Sequence, residues 1–202
     1  MPKGFTDHEK ELIRAKLIES GFRLFSAYGL RKTNVEELAQ AAGISKGAFY
    51  LFYESKEALF MDVTEAAEER MRREVMAVIE QPGESPRARL YAVLRKAFDV
   101  FETIPLLRFV TSSDFELLFR RIPPEKVQAH LASDAAFFDE LIAHCRRAGI
   151  AITAPPEQIG GLLYPLALAI MHKDEQTAVF FTSGTDTLLK LIAAYCLGEV
   201  EL

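Results

Sequence analysis

Side chains that can bind a phosphate lie between residues 33 and 56. Thr33 and Ser45 stand where short helices are predicted to begin, and the free N–H groups at a helix N-terminus favour an anion. The hydroxyl of Tyr50 and the ammonium of Lys56 are groups that can reach phosphate oxygens. Plain structural alternatives stay open, because Ser45 can serve only as a helix cap and Tyr50 as a half-buried ring.

Lys46 and Ala48 offer a different chemistry, which suits the edges of bases. A lysine can donate to O6 and N7 of guanine, and an alanine methyl can contact the methyl group of thymine. Gly47 stands between them and permits a close approach of the backbone. The alternative for Lys46 is a solvated surface charge.

The sequence carries no pattern for catalysis or for a resident metal. His130 and Asp134 are spaced i and i+4, which offers two metal ligands from one helix face, and two are too few. His144 follows too far along a straight helix to complete the same site. There is no nucleophile elbow, no phosphate-binding glycine loop and no HExxH motif. We therefore expect neither an enzyme nor a cofactor or metal site.

Helical patterns position these groups, and no long stretch alternates with period two, so we predict an all-α fold. Thr6 with Glu9 and Thr33 with Glu36 indicate capping boxes for the first two helices. The first helix is expected to stop at Gly29. The helices are predicted at about 7–27, 33–42, 45–52, 55–81, 86–103, 105–120, 124–148, 156–172 and 184–197.

The second and third predicted helices form a helix-turn-helix. Gly43 can take a positive φ, which lets the chain reverse abruptly, and Ile44 is expected to plug the turn beside Ala39. Phe49 and Phe52 are expected to anchor the short third helix inward. A turn of this kind also occurs in ordinary helical bundles, so the turn alone does not decide the function.

A longer pattern of residue types surrounds this turn. It comprises Phe22-Arg23-Leu24-Phe25, Gly29, Thr33, Glu37-Leu38-Ala39, Ala42-Gly43-Ile44-Ser45-Lys46-Gly47, Phe49-Tyr50 and Ser55-Lys56-Glu57-Ala58-Leu59. With these types and gaps, residues 12 to 60 closely resemble the N-terminal signature of the TetR/AcrR family. The resemblance implies an α-helical homodimer, in which each subunit inserts its third helix into a major groove. It also implies a variable C-terminal region that binds a small molecule and dimerises.

The resemblance assigns roles by position. It implies phosphate contacts for Thr33, Tyr50 and Lys56. It implies a groove-facing set formed by Ser45, Lys46, Gly47 and Ala48. Many family members carry His or another polar residue where this chain has Leu51, so a phosphate or base contact is expected to be missing there. Leu51 can touch a thymine methyl or pack inward, and the operator sequence stays open.

The C-terminal region is expected to hold an effector and to dimerise, which divides the chain into a DNA-binding domain (1–54) and a second helical domain (55–202). Phenylalanines at helical spacing usually form core, but some can line a mainly apolar pocket. The pocket candidates are Phe98, Phe101, Phe109, Phe115, Phe138 and Tyr164. Apolar stripes on the last two helices predict a dimer interface, with packing inside one subunit as the alternative. The interface candidates are Leu162, Leu166, Ile170, Leu188, Ile192 and Tyr195.

Composition sets wider bounds. The net charge is -5, but residues 1–60 carry 9 Lys/Arg and 8 Asp/Glu, which permits contact with a polyanion without indicating it. Cys145 and Cys196 form no CxxC pair and are expected to be small buried groups, as in a reducing cytoplasm. The polar N-terminus does not suit a secretory signal. The longest nearly apolar run, 160–171, is shorter than the ~20 residues of a membrane span.

Together these features predict a cytoplasmic transcriptional regulator that binds double-stranded DNA at a pseudo-palindromic operator. We expect a repressor that is released by a small, largely apolar effector. Two other classes stay open: a small-molecule enzyme, which would need a convergent catalytic set, and a protein-binding adaptor, which would leave Lys46 and Tyr50 without a purpose. Activation in place of repression also stays open, because the position of the operator decides it.

Overall fold

A computed structural model describes residues 5–104, 106, 122–171 and 178–200. Within these residues every regular element is a helix, which confirms the predicted all-α class. The helices are α1 (Asp7–Lys32), α2 (Val35–Ala41), α3 (Lys46–Phe49), α4 (Lys56–Ile79), α5 (Pro86–Thr103), α6 (Pro124–Arg147), α7 (Pro156–Met171) and α8 (Ala178–Cys196).

The chain divides into two compact units. The first comprises Met1–Glu69 with Ile104–Val127, and the second comprises Arg70–Thr103 with Gln128–Leu202. Helix α4 begins in the first unit and ends in the second. The boundary predicted between residues 54 and 55 concerns function and stays a prediction.

In the first unit, α1 packs against α4 through buried aromatic and aliphatic side chains. The rings of Phe25 and Phe60 meet edge to face, with their centroids 5.1 Å apart. A Cβ atom added at Gly21 would lie 2.8 Å from Cγ2 of Val63. The missing side chain therefore lets the two helices approach closely. Helix α2 packs on α1, and α3 packs on α2.

Helix α1 begins as predicted and ends differently. The capping box of Thr6 and Glu9 is present. Gly29, at φ 77° and ψ 171°, kinks the helix, but helical residues continue to Lys32. Thr33 then caps the end, since its N–H and its hydroxyl donate to the Gly29 carbonyl at 3.3 and 2.8 Å. The prediction that Thr33 caps the second helix is wrong, because its hydroxyl is used by the first.

In the second unit, α5 packs against α7 and α8 around one apolar cluster. The cluster includes Cys145 and Cys196, which are free thiols, and burial raises the pKa of each to about 11. This agrees with the prediction of small buried groups. Arg89 ties two helix ends together, because its guanidinium donates to the Ala148 and Ile79 carbonyls, both at 2.8 Å.

The predicted helix boundaries of this region hold within a few residues except at the last helix. Helix α8 has begun by Ala178, whereas the prediction placed its start at 184. Gly184 therefore lies inside the helix, where a Cβ would meet nothing within 4 Å and the glycine is exposed. The helix predicted over 105–120 lies outside the described residues, apart from Leu106.

Candidate nucleic-acid interface

Helix α2 starts with a reciprocal capping box one residue later than predicted. The Asn34 side chain accepts a hydrogen bond from the Glu37 N–H at 2.9 Å, and the Glu37 carboxylate accepts one from the Asn34 N–H at 3.3 Å. Two free N–H groups at the helix start are thereby satisfied. Thr33, just before, is fully buried, so in this conformation its side chain does not reach the surface where a phosphate would lie.

The turn between α2 and α3 has the predicted construction. Gly43 takes φ 77°, in the left-handed region that favours glycine. The N–H of the next residue, Ile44, donates to the Ala39 carbonyl at 2.9 Å, which closes the turn. Ser45 then caps α3, because its Oγ accepts from the Ala48 N–H at 3.2 Å. The prediction of Ser45 as a helix cap is thus confirmed.

Helix α3 is held by Phe49 and Tyr53, and not by Phe49 and Phe52 as predicted. Phe49 is fully buried and Tyr53 nearly so, whereas Phe52 is half-buried and packs on the ring of Phe5. Residues four apart share a helix face, which is the signal that the sequence offered for Tyr53. The Tyr53 hydroxyl donates to Asp62 at 2.9 Å. Burial, and then the Asp62 carboxylate, hold the pKa of Tyr53 far above its usual value.

The other side of this segment faces solvent. Lys46 and Gly47 are exposed, Ala48 is half-buried, and the side chain of Tyr50 is 51% exposed. Leu51 is 73% exposed, which rules out the inward packing that the sequence left open. The structure thus brings Ser45, Lys46, Gly47 and Tyr50 together on one accessible surface. Which of them contact DNA stays a prediction.

Lys56 makes contacts that its sequence context does not reveal. Its ammonium donates to the Leu30 carbonyl at 2.7 Å, to the Thr33 carbonyl at 2.8 Å and to the Arg31 carbonyl at 3.3 Å. A lysine ammonium has three hydrogens, and all three have acceptors here. Lys56 therefore joins the start of α4 to the end of α1. A phosphate contact stays a prediction, and a phosphate would have to share one of these hydrogens.

An open groove lies between α2, α3 and the start of α4. Lys46, Tyr50 and Lys56 line it. Four carboxylates line it as well, those of Glu36, Glu37, Glu54 and Glu57. With two lysines and four carboxylates, the groove lining carries a formal negative charge, whereas residues 1–60 as a whole are nearly neutral. The case for a nucleic-acid surface therefore depends on the exposed side of the α3 segment and not on positive charge.

The pocket candidates of the second unit are not brought together as a set. Phe98 is buried in the apolar cluster, Phe138 is half-buried against it, and Phe101 is half-buried. Phe109 and Phe115 lie outside the described residues. Tyr164 is 68% exposed in the single chain, and its place in a ligand pocket stays a prediction. The neighbouring Leu163 turns toward the cluster, which directs Tyr164 outward.

The interface candidates separate into three groups by burial. Ile170 and Ile192 are buried in the apolar cluster, so their assignment to a free surface is wrong. Leu166 and Tyr195 are half-buried against the same cluster, and the Tyr195 hydroxyl is bonded to Gln158. Leu162 and Leu188 are exposed, and so are Tyr164 and Leu191. Helical spacing shows that a stripe exists, but it does not show which of two apolar stripes the core uses.

The fold and the α2–turn–α3 surface together define a helical protein with an N-terminal helix-turn-helix. Residues 17–63 match the family model described as bacterial regulatory proteins, tetR family. A 52-residue segment is 44% identical to the uncharacterized HTH-type transcriptional regulator YerO of Bacillus subtilis, over 26% of this chain and 18% of that protein. A 63-residue segment is 35% identical to the HTH-type transcriptional regulator AcrR of Shigella flexneri, over 31% of this chain and 29% of that protein.

The whole chain is similar in fold to a TetR family transcription regulator from Marinobacter aquaeolei, with a TM-score of 0.59 at 19% identity over 96% of this chain and 97% of that one. The curated relatives named above are matched over less than a third of their own length. The N-terminal helix-turn-helix is thus of the TetR/AcrR type, and the predicted resemblance is confirmed. No helix among the described residues is long and apolar enough to cross a bilayer.

Proposed function

We propose that this protein is a transcriptional repressor that binds a pseudo-palindromic operator in double-stranded DNA as a homodimer. The observation that carries the proposal is the α3 segment, which is anchored by fully buried Phe49 and presents Lys46, Tyr50 and Leu51 to solvent. A short helix with one buried and one exposed side is what a recognition element needs, because the exposed side must enter a major groove. The TetR-type match of residues 17–63 supports the same role.

Within this proposal the contacts divide by chemistry. The Tyr50 hydroxyl would bind a phosphate oxygen, which sets the register of the protein on the duplex without reading sequence. Lys46 would donate to a guanine, with Ser45, Gly47 and Ala48 beside it in the groove. Lys56 would reach a phosphate only by sharing its ammonium with the carbonyls at the end of α1. Thr33 would support the interface by capping the end of α1 with its hydroxyl, and that hydroxyl would not itself contact a phosphate.

Dimerisation is supported by the apolar surface of the second unit. Leu162 and Tyr164 on α7, with Leu188 and Leu191 on α8, are exposed in the single chain. α7 packs on α8, and a Cβ at Gly161 or Gly184 would meet nothing within 4 Å. Such a surface suits a second copy of the chain, because a two-fold interface pairs a patch with itself. A dimer also supplies two recognition elements for half-sites ~34 Å apart.

Regulation by a small, largely apolar effector follows from the same proposal. The second domain (55–202) would hold the effector among its phenylalanines, and α4 would link it to the DNA-binding domain (1–54). An effector can release DNA only if it binds more tightly to the dimer conformation that does not fit the operator. The protein would act in the cytoplasm, without catalysis.

The test starts from a duplex selected out of a random pool by the wild-type protein. Fluorescence anisotropy then compares Lys46→Ala with Lys126→Ala, which removes the same charge from an exposed position on α6. We expect Lys46→Ala to lose ~1 to 3 kcal/mol of discrimination at one base pair per half-site. Lys126→Ala should keep the wild-type preference.

Two results would contradict the proposal. A wild-type protein that selects no sequence above the random pool is not a sequence-specific regulator, and the adaptor or enzyme class would then be favoured. Equal preferences of the two variants at every base pair would remove Lys46 from the groove-facing set.

A further inference from the structure

We propose that Leu51 recognises the 5-methyl group of a thymine in the major groove, and is thereby a specificity-determining residue of the interface. This inference rests on the proposed function, since it names the base feature that the same surface reads.

The first observation is how far Leu51 extends into solvent. At 73% exposed it is the most accessible of the large apolar side chains for which the structure describes exposure. An exposed leucine taken singly is ordinary for a protein surface. Leu51, however, lies next to Tyr50 on the segment that is proposed to enter the groove, so it would be buried there on binding.

The second observation is that the backbone of Leu51 is held firmly. Its N–H donates to the Ala48 carbonyl at 3.1 Å, and the next N–H, that of Phe52, donates to the Phe49 carbonyl at 2.9 Å. Tyr53, two residues on, is buried and bonded to Asp62. The side chain therefore starts from a defined position, as a residue that reads a base must.

The third observation is the chemistry of the strip to which Leu51 belongs. Leu51 lies two residues past the end of α3, in a turn where the hydrogen bond from the Leu51 N–H to the Ala48 carbonyl brings residues three apart into line, and Gly47 adjoins Ala48. None of these three side chains can donate or accept a hydrogen bond. A phosphate or the O6 and N7 atoms of guanine would gain nothing from them, whereas the thymine methyl is the apolar feature of the major groove. Lys46 and Tyr50 supply the polar contacts beside the strip.

The experiment removes one methyl group at a time. Each thymine of the selected duplex is replaced in turn by deoxyuridine, in both half-sites together, and affinity is measured by anisotropy for the wild type, Leu51→Ala and Leu131→Ala. Leu131 is a matched control, because it is 57% exposed on α6. We expect one thymine whose replacement weakens wild-type and Leu131→Ala binding about threefold to tenfold or more. Leu51→Ala should bind the two duplexes alike.

The outcomes separate the two levels of the proposal. If every deoxyuridine affects Leu51→Ala as much as the wild type, the methyl contact is wrong while DNA binding stands, and Leu51 then packs on the sugar or faces water. If the wild type does not prefer the selected duplex over a random one, the proposed function itself fails. Circular dichroism of each variant checks the fold, which an exposed substitution should leave unchanged.

Discussion

Lys56 shows how one side chain can serve two purposes that the sequence does not distinguish. Its position after Ser55, at the start of a helix, suits a phosphate contact. In the structure its ammonium lies on carbonyls at the end of α1, and Lys56 thus joins two helices that are far apart in sequence. Charged donors on backbone carbonyls are among the stronger hydrogen bonds in proteins. A capping role and a DNA role have different measurable consequences.

Replacing Lys56 with Met keeps the length of the side chain and removes the ammonium. We expect the free energy of unfolding to fall by about 1 to 3 kcal/mol, because partly buried carbonyls lose a charged donor. Urea denaturation followed by circular dichroism measures this, with Lys126→Met as the exposed control. An unchanged unfolding free energy would contradict the capping role.

The same variant tests the phosphate contact proposed for Lys56. Loss of a phosphate contact should lower the slope of log affinity against log salt by about 0.9 per contact in each subunit. The slope is measured by anisotropy at several salt concentrations on the selected duplex. A slope equal to that of the wild type would assign Lys56 to the capping role alone.

At the scale of the elements, the helix-turn-helix contains two glycines, and a side chain is excluded at each for a different physical reason. Gly43 takes φ 77°, and a Cβ there would meet nothing within 4 Å, so its requirement is conformational and not spatial. Gly47 lies inside α3, where the nearest neighbour of an added Cβ is Ser45 Oγ at 4.0 Å. Under the proposed function, a glycine is required here because the DNA approaches its backbone closely.

Substituting alanine at each position separates stability from binding. Gly43→Ala should lower the free energy of unfolding by about 1 to 2 kcal/mol, the cost of a left-handed alanine.

Gly47→Ala should leave the free energy of unfolding unchanged or raise it by about 0.5 to 1 kcal/mol, since alanine favours a helix. Gly47→Ala should nevertheless bind the selected duplex more weakly, by about tenfold, because its methyl occupies the space of a close backbone approach. Thermal unfolding measures the stability of each variant, and anisotropy measures its affinity for the selected duplex. If Gly47→Ala binds with full affinity, no base approaches the backbone at this residue.

At the scale of the whole molecule, the proposed dimer depends on the exposed apolar surface of the second unit. Of the six predicted interface residues, Ile170 and Ile192 belong to the core of one chain, and Leu166 and Tyr195 are half-buried against it. Leu162, Leu188 and Leu191 remain exposed. In a two-fold interface each residue occurs once in each subunit, so a single substitution changes the free energy of association twice.

Leu188→Glu should therefore weaken the dimer by about 100-fold or more. Burying an unpaired polar group costs about 1.5 kcal/mol, and the dimer buries one in each of its two subunits. Sedimentation velocity over a dilution series measures the association constant. Leu131→Glu introduces the same charge at another exposed leucine and should leave it unchanged. DNA affinity should fall with dimerisation in Leu188→Glu, and a fully dimeric variant would place the interface elsewhere.

Short-range patterns in the chain were enough for the all-α class, for most helix bounds and for the turn at Gly43. These features depend on neighbours within about four residues, through capping, helical spacing and positive φ, and such neighbours are visible in the sequence. The longer pattern over residues 12 to 60 also sufficed for the TetR/AcrR resemblance, because it combines many residue types at set gaps.

Contacts between distant segments lay beyond those patterns. Thr33 and Asn34 are both good caps, and only the packing of α1 leaves Thr33 inside and Asn34 free to start α2. In the same way, the cluster of the second unit takes up Ile170 and Ile192 while leaving Leu188 outside. Periodicity tells that a helix has an apolar face, but which face is buried depends on what lies opposite, and that is settled when the chain packs.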